Sequence, residues 1–170
     1  MKRWYVCIVV FIVCGLSFSR IAMSADRGPS TAEERAKAVA LVRGLESDPL
    51  GDSAFQSRRW LTQWLIDVPD ISVNWCTDLM APLLKSRKHP ADVVSVQPLF
   101  SASAFIIEHP DKATDQFAIN TAGVEGALRA YETILKTDPK AHVPFLDDLI
   151  EKRGKGLLPD YVRAAQKQCK

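Results

Sequence analysis

The apolar stripe between Phe117 and Leu135 restricts this chain more than any other feature. Phe117, Thr121, Val124, Leu128, Tyr131 and Leu135 are spaced 4, 3, 4, 3 and 4 residues apart. That is the period of one face of an α-helix, whereas a strand would divide the six between its two faces. Thr114 or Asp115 can begin this helix, and Asp138-Pro139 closes it near Thr137. At about 1.5 Å per residue it spans a small domain from side to side. Gly123 and Gly126 lie inside the stripe, each costing about 1 kcal/mol against alanine in a helix interior. Their presence points to close approach of a neighbouring element. Separately, Ser101, Ala102, Ser103 and Ala104 are small and would let another helix approach closely.

The rest of the chain also reads as helical. Ser30, with Glu33 three residues later, has the spacing of a capping box for a helix reaching about Leu45, with Ala38, Leu41, Val42 and Leu45 on one stripe. After the turn Asp48-Pro49-Leu50-Gly51, Asp52 or Ser53 caps a second helix. Its wide apolar face is Phe55, Trp60, Leu61, Trp64, Leu65 and Val68, and Pro69 ends it. Ile71-Ser72-Val73-Asn74-Trp75 alternates apolar and polar residues and favours a short extended segment. Thr77 can cap a helix beginning at Asp78, with Pro82 awkward inside it and Pro90 stopping it. From Ala91 to His109 the chain is apolar and helical. Pro98 either kinks that helix or sits in the first turn of a new one. Further helices cover about Val143 to Lys152 and Pro159 to Cys169. The fold class expected is all-α, a compact bundle of six or seven short-to-medium helices.

Residues 1 to 25 read differently. Lys2 and Arg3 precede an apolar run from Trp4 to Phe18, followed by small and polar residues through Ser24 and Ala25. This is the order of a cleaved secretory signal peptide, and the run is shorter than the roughly 20 residues of a membrane span. A cut after Ala25 leaves 26–170 as a single helical domain with no stable membrane span, and a cut after Ser24 leaves one residue more. The expected location is periplasmic or extracellular. Cys7 and Cys14 leave with the leader, so Cys76 and Cys169 remain. An even pair in an exported chain reads as a disulfide. Closing so long a loop is worth up to about 4–5 kcal/mol in the chain-entropy account.

Leader removal also changes the charge. The full chain has 22 basic and 20 acidic residues. Without Lys2, Arg3 and Arg20 the balance is 19 against 20, close to neutral. A near-neutral domain lacks the positive field of a dedicated nucleic-acid binder.

From Glu125 to Ala141 the chain resembles the second helix of a tetratricopeptide repeat. Ala127, Tyr131 and Pro139 stand where that family prefers alanine, an aromatic residue and proline. Ile134 replaces a preferred alanine, and Asp111, Thr114, Asp115 and Ala118 stand where the first helix of the unit wants its tryptophan, leucine, glycine and tyrosine. No second copy follows at a period of 34. The resemblance implies a degenerate helical scaffold as one alternative.

No motif identifies a reaction. His89 and His109 precede prolines at helix ends, where a histidine suits the helix dipole. His142 is the third, and no His or Cys spacing suggests a metal site. Asp147, Asp148 and Glu151 share one helix, where Asp148 can pair with Lys152. Ser101 and Ser103 lack the surroundings of a nucleophile. The expectation is no catalytic residue, no cofactor and no bound metal. Trp60 and Trp64, four apart on one helix behind Arg58 and Arg59, are either core or an exposed platform for a ligand or partner. The leading expectation is a non-enzymatic binding or protein-interaction module of the cell envelope, meeting a protein or small ligand there. The enzyme alternative is a small hydrolase using His109 or His142 with a carboxylate.

Overall fold

A computed structural model describes residues 27–86 and 90–169. The expected leader and the basic residues Arg87, Lys88 and His89 lie outside the described residues. Within them the chain is an all-helical bundle with one disulfide and no strand. Six helices carry it: α1 (Ala32–Ser47), α2 (Ala54–Asp67), α5 (Gln97–Glu108), α6 (Gln116–Thr137), α7 (Pro144–Gly154) and α8 (Leu158–Gln166). Two single turns, α3 (Ala81–Leu84) and α4 (Ala91–Val94), lie between α2 and α5.

The caps and prolines explain the boundaries. Thr31, rather than Ser30, caps α1: its hydroxyl accepts the Glu34 N–H at 3.2 Å, and the Glu34 carboxylate accepts the Thr31 N–H at 2.9 Å. The box is shifted one residue because Ser30 is engaged elsewhere. The Ser30 hydroxyl donates to Asp70 at 2.8 Å and accepts from Arg35 at 2.8 Å. Ser53 precedes α2 without a side-chain cap bond. The helix expected from Asp78 is instead a 3₁₀ turn, Thr77–Met80, followed by α3. Pro82 has no N–H to give the Asp78 carbonyl, so the α-helix begins only where Pro82 falls in its first turn. Pro98 acts the same way and separates α4 from α5.

Helix α6 is the axis of the bundle, packed against α1, α5, α7 and α8. The expected stripe is on its inner side, with Val124, Leu128 and Tyr131 fully buried and Phe117 and Leu135 partly so. A second side is buried as well, through Ile119, Gly123, Gly126, Ala127 and Ala130. Both glycines meet a neighbour. A Cβ at Gly123 would run into Trp75 and the Pro98 carbonyl, and one at Gly126 into Ser101 and Glu46. Ser101 to Ala104 are all buried on the facing helix α5. Helices surround α6 rather than stacking in a row of pairs that touch only their neighbours, as repeat proteins do.

Two main apolar clusters result. One joins α1 and α2 through Val42, Leu45, Leu61 and Trp64, with Phe100 and Ala104 of α5. The other joins Leu79, Met80 and Leu83 to α6, α7 and α8. On α2 the inward positions are Ala54, Leu61, Trp64 and Val68, while Phe55 is 69% exposed. The apolar face of α2 is therefore narrower than its composition implies. The stretch Ala91–Glu108 is long and apolar enough to cross a membrane by composition. Here it is broken at Pro98 into two helices, and more than half of it is buried in the bundle.

Candidate functional site

Between α2 and the Thr77–Met80 turn the chain bends at Pro69 and Asp70, and residues 71–76 belong to no helix or strand. Val68, preceding Pro69, is in the extended region (φ −80°, ψ 129°), as a residue before proline prefers. Ile71 is buried, Val73 and Trp75 are partly buried, and Ser72 and Asn74 are exposed. The alternation read from the sequence is thus realised in burial, in a segment without a strand ladder among the described residues.

Both ends of the segment are tied down. Asp70 accepts from the Ser30 N–H and hydroxyl, both at 2.8 Å, and from Arg35. Burial pushes its carboxyl up, but the Ser30 and Arg35 hydrogen bonds outweigh this and hold it down at about 2. At the other end Cys76 is bridged to Cys169 across 93 residues, with Cα atoms 5.8 Å apart. The Cys76 N–H donates to the buried Asn120 side chain at 3.4 Å. In between, the backbone N–H and C=O groups of residues 71–75 make no hydrogen bond to any described residue.

Two concavities flank this segment. One, of about 280 Å³, lies against the disulfide and is lined by Asn74, Trp75, Asp78, Gln116, Asn120 and Gln166. Four carboxamides there offer both donors and acceptors. Gln166 already donates to the Gln116 carbonyl at 2.9 Å. Asp78 makes no ion pair with a described residue. The other concavity, of about 350 Å³, is apolar and lined by Thr62, Leu65, Ile66, Ile71, Val73 and Leu99. Ile66 is 73% exposed and Leu99 37%.

Trp60 and Trp64 stack with centroids 5.7 Å apart and an interplanar angle of 11°. Trp64 is 3% exposed and belongs to the core. Trp60 is partly buried, and the Lys37 ammonium lies 4.2 Å from its ring centroid. Most of this aromatic surface is therefore already covered by the protein. A small hollow lined by both indoles, Arg27, Glu34, Gln63 and Asp67 remains beside it.

One charged group was not legible in the sequence. Glu46 is 6% exposed at the end of α1. Arg129 grips it with two bonds of 2.9 Å, Arg43 approaches at 3.0 Å, and the Ser101 hydroxyl donates at 2.8 Å. Burial raises the Glu46 carboxyl, but the bonds and charges of Arg129, Ser101 and Arg43 leave it below its ordinary value. Only Arg43 is near Glu46 in sequence. The other partners lie 55 and 83 residues away, so no local spacing announces the cluster. It ties α1, α5 and α6 together.

The histidines divide. His109 is exposed against Phe105, ring centroids 4.6 Å apart. His142 places Nδ1 3.2 Å from Asp147, whose carboxylate accepts from the Tyr131 hydroxyl at 2.7 Å. That hydroxyl also accepts the Val143 N–H at 2.8 Å. Burial, with the neighbouring Asp147 charge, pushes Tyr131 up to about 12. Ser101 serves Glu46, and Ser103 donates to the Phe100 carbonyl at 2.7 Å. Asp148 pairs with Lys152, as the spacing implies, and Glu151 pairs with Lys155. Among the described residues no three His, Cys, Asp or Glu side chains converge as metal ligands.

No protein-family model, curated protein sequence or solved structure matches this chain.

Proposed function

We propose that this chain is an exported, non-enzymatic binding module of the cell envelope, and that it meets its partner along the 71–78 segment. The observation that carries the binding reading is the segment 71–75, tied down at both ends, flanked by one polar and one apolar concavity and without a backbone hydrogen bond to any described residue. Export is supported by the leader pattern of residues 1–25 and by the single bridge formed by the two remaining cysteines. Stable disulfides belong to oxidising compartments.

The test is expression of the full chain in a bacterial host, with a photo-crosslinking amino acid at Asn74. The expected product is a protein lacking its first 24 or 25 residues, recovered from the envelope fraction, two hydrogens lighter than its dithiol form and cross-linked to an envelope component. Retention in the cytoplasm with alkylatable thiols overturns the export reading. Monomer alone after irradiation overturns the binding reading.

A second reading rests on His142, Asp147 and Tyr131. A histidine held by a carboxylate has the geometry of an oriented base. It sits exposed, with no serine or thiol nucleophile among its bonded partners. A hydrolase assay of the purified protein, lost in His142→Ala at unchanged stability, would move the balance to this site.

A further inference from the structure

The polar cleft beside the disulfide specifies a ligand through the chemistry of its lining. We infer that it holds a neutral sugar unit, gripped through its hydroxyl groups by the side chains of Asn74, Asp78, Gln116, Asn120 and Gln166. This rests on the binding reading above and names the class of ligand at the polar end of the segment.

Separate stretches of chain bring these side chains together, and each stretch is tied to the next. Gln116 and Asn120 stand one turn apart on α6 and so share a face. Gln166 ends α8, and Asn74 and Asp78 come from the chain before α3. The Cys76–Cys169 bridge joins that chain to the end of α8. The Cys76 N–H donates to Asn120 Oδ1 at 3.4 Å, and the Gln166 amide donates to the Gln116 carbonyl at 2.9 Å. Asn120 is only 2% exposed, so a polar side chain enclosed by the bundle forms part of the wall. Walls fixed in this way need little ordering when a ligand enters.

The lining then selects among ligands. A carboxamide carries two N–H donors and an acceptor oxygen, and a hydroxyl carries one donor and two acceptor lone pairs. Neighbouring hydroxyls on a sugar ring therefore match a carboxamide at both of its ends. No lysine, arginine or histidine lines the cleft, whereas Asp78 does. A phosphate or carboxylate there meets like charge and finds no cation. An ammonium group suits Asp78, but it has only donors and leaves the carboxamide N–H groups unmatched. A hydrocarbon strips water from the amides and returns no hydrogen bond. Trp75 and the two cysteines supply the apolar part of the wall, which suits the C–H groups of a sugar ring. The volume, about 280 Å³, is at the small end of ligand clefts. It fits a single sugar unit, with any further chain left in solvent.

The experiment follows the side-chain amide and indole NMR signals of the processed, oxidised protein. The neutral probes are cellotriose, maltotriose, mannotriose and chitotriose. The charged probes are trigalacturonic acid and the glucosamine trimer. At least one neutral probe is expected to shift the amide signals of Asn74, Gln116, Asn120 and Gln166 and the Trp75 indole signal, saturably and in the millimolar range or below. The Trp60 and Trp64 indole signals should stay in place. Asn74→Ala and Gln116→Ala should each weaken the binding about threefold to tenfold, as expected for the loss of one hydrogen-bonding side chain. Asn74 is exposed and Gln116 partly so, and neither side chain bonds to another described residue. Circular dichroism and melting of both variants should therefore match the parent. Co-sedimentation with the matching insoluble polysaccharide assigns a sugar carried on a glycan chain, and binding of the trisaccharide alone assigns a free one. Absence of saturable shifts with every neutral probe overturns the inference. So does tighter binding of either charged trimer, or shifts confined to residues outside the cleft. If the sugars fail while Asn74 still cross-links an envelope component, the saccharide assignment falls and the binding reading stands. If both fail, both fall.

Discussion

The α1–α2 side and the α6–α8 side of this bundle are held by different means. On the first, apolar packing of Val42, Leu45, Leu61 and Trp64 is closed off by charges. Asp70 gathers Ser30 and Arg35, and Glu46 gathers Arg43, Arg129 and Ser101. On the second, a continuous apolar cluster from Leu79 to Val162 is closed off by the Cys76–Cys169 bridge. The helices explain the contrast. Helix α1 has 16 residues and a complete capping box, while α8 has nine residues and no side-chain cap. A helix that short is not stable alone and depends on docking. The covalent tie is where the local signals are weakest. The 71–75 segment lies at the boundary between the two sides, anchored once by each device.

The sharpest way to break this comparison is to remove the bridge. Cys76→Ser with Cys169→Ser is expected to cost about 3–4 kcal/mol in urea unfolding, given the long loop the bridge closes. Amide exchange should rise first in α8 and at residues 71–76, with α1 least affected. A uniform rise across both sides would erase the distinction drawn here.

The charged device comes next. Glu46→Ala is expected to cost about 2–3 kcal/mol, less than the loss of a fully buried pair because Arg43 and Arg129 retain access to water. The side chains of both arginines are 42% exposed. A double-mutant cycle with Arg129→Ala should show strong coupling. A coupling near zero would mean that the cluster only fills space.

Acid separates the two sides without mutation. The Asp70 carboxyl is held at about 2 and that of Glu46 below its ordinary value, against about 4 in an unfolded chain. Below about pH 4 the unfolded state binds protons that the folded state does not, so stability falls as pH drops. The contribution is complete above about pH 4–5 and disappears towards pH 2. The bridge does not titrate. Urea midpoints between pH 7 and pH 2 should fall, and Asp70→Asn should flatten part of that slope. An unchanged slope in Asp70→Asn would remove Asp70 from the account.

The smallest effect tests the reading of α2. Phe55→Ser should change stability by no more than about 0.5 kcal/mol, as for surface substitutions generally. A larger loss by thermal melting would put Phe55 back on the packed face.

Much of the fold was legible along the chain because its signals are local. The α6 stripe, the small residues of α5 and the two α6 glycines each point to a neighbour. The contacts of Gly123 with Trp75 and of Gly126 with Ser101 realise them. Where a local signal met a tertiary competitor, the competitor decided. Ser30 has the capping chemistry expected of it, but Asp70, 40 residues away, takes its hydroxyl, and Thr31 becomes the cap. Phe55 looks like core by composition, yet Ala54 takes the inward position. Trp60 and Trp64 share a face as their spacing requires, but only folding decides that Trp64 is enclosed and that Lys37 covers part of Trp60.

The candidate site divides in the same way. From the sequence come the alternation of Ile71 to Trp75, the end of the preceding helix at Pro69 and the pairing of Cys76 with Cys169, since periodicity, proline geometry and cysteine parity are properties of the chain. The lack of backbone hydrogen bonds between that segment and the described residues, the groove completed by Ile66 and Leu99, and an Asp78 without an ion pair to a described residue are set only in three dimensions. Residues from α2, α5, α6 and α8 converge there, and such convergence depends on everything packed around a segment, which no local pattern encodes.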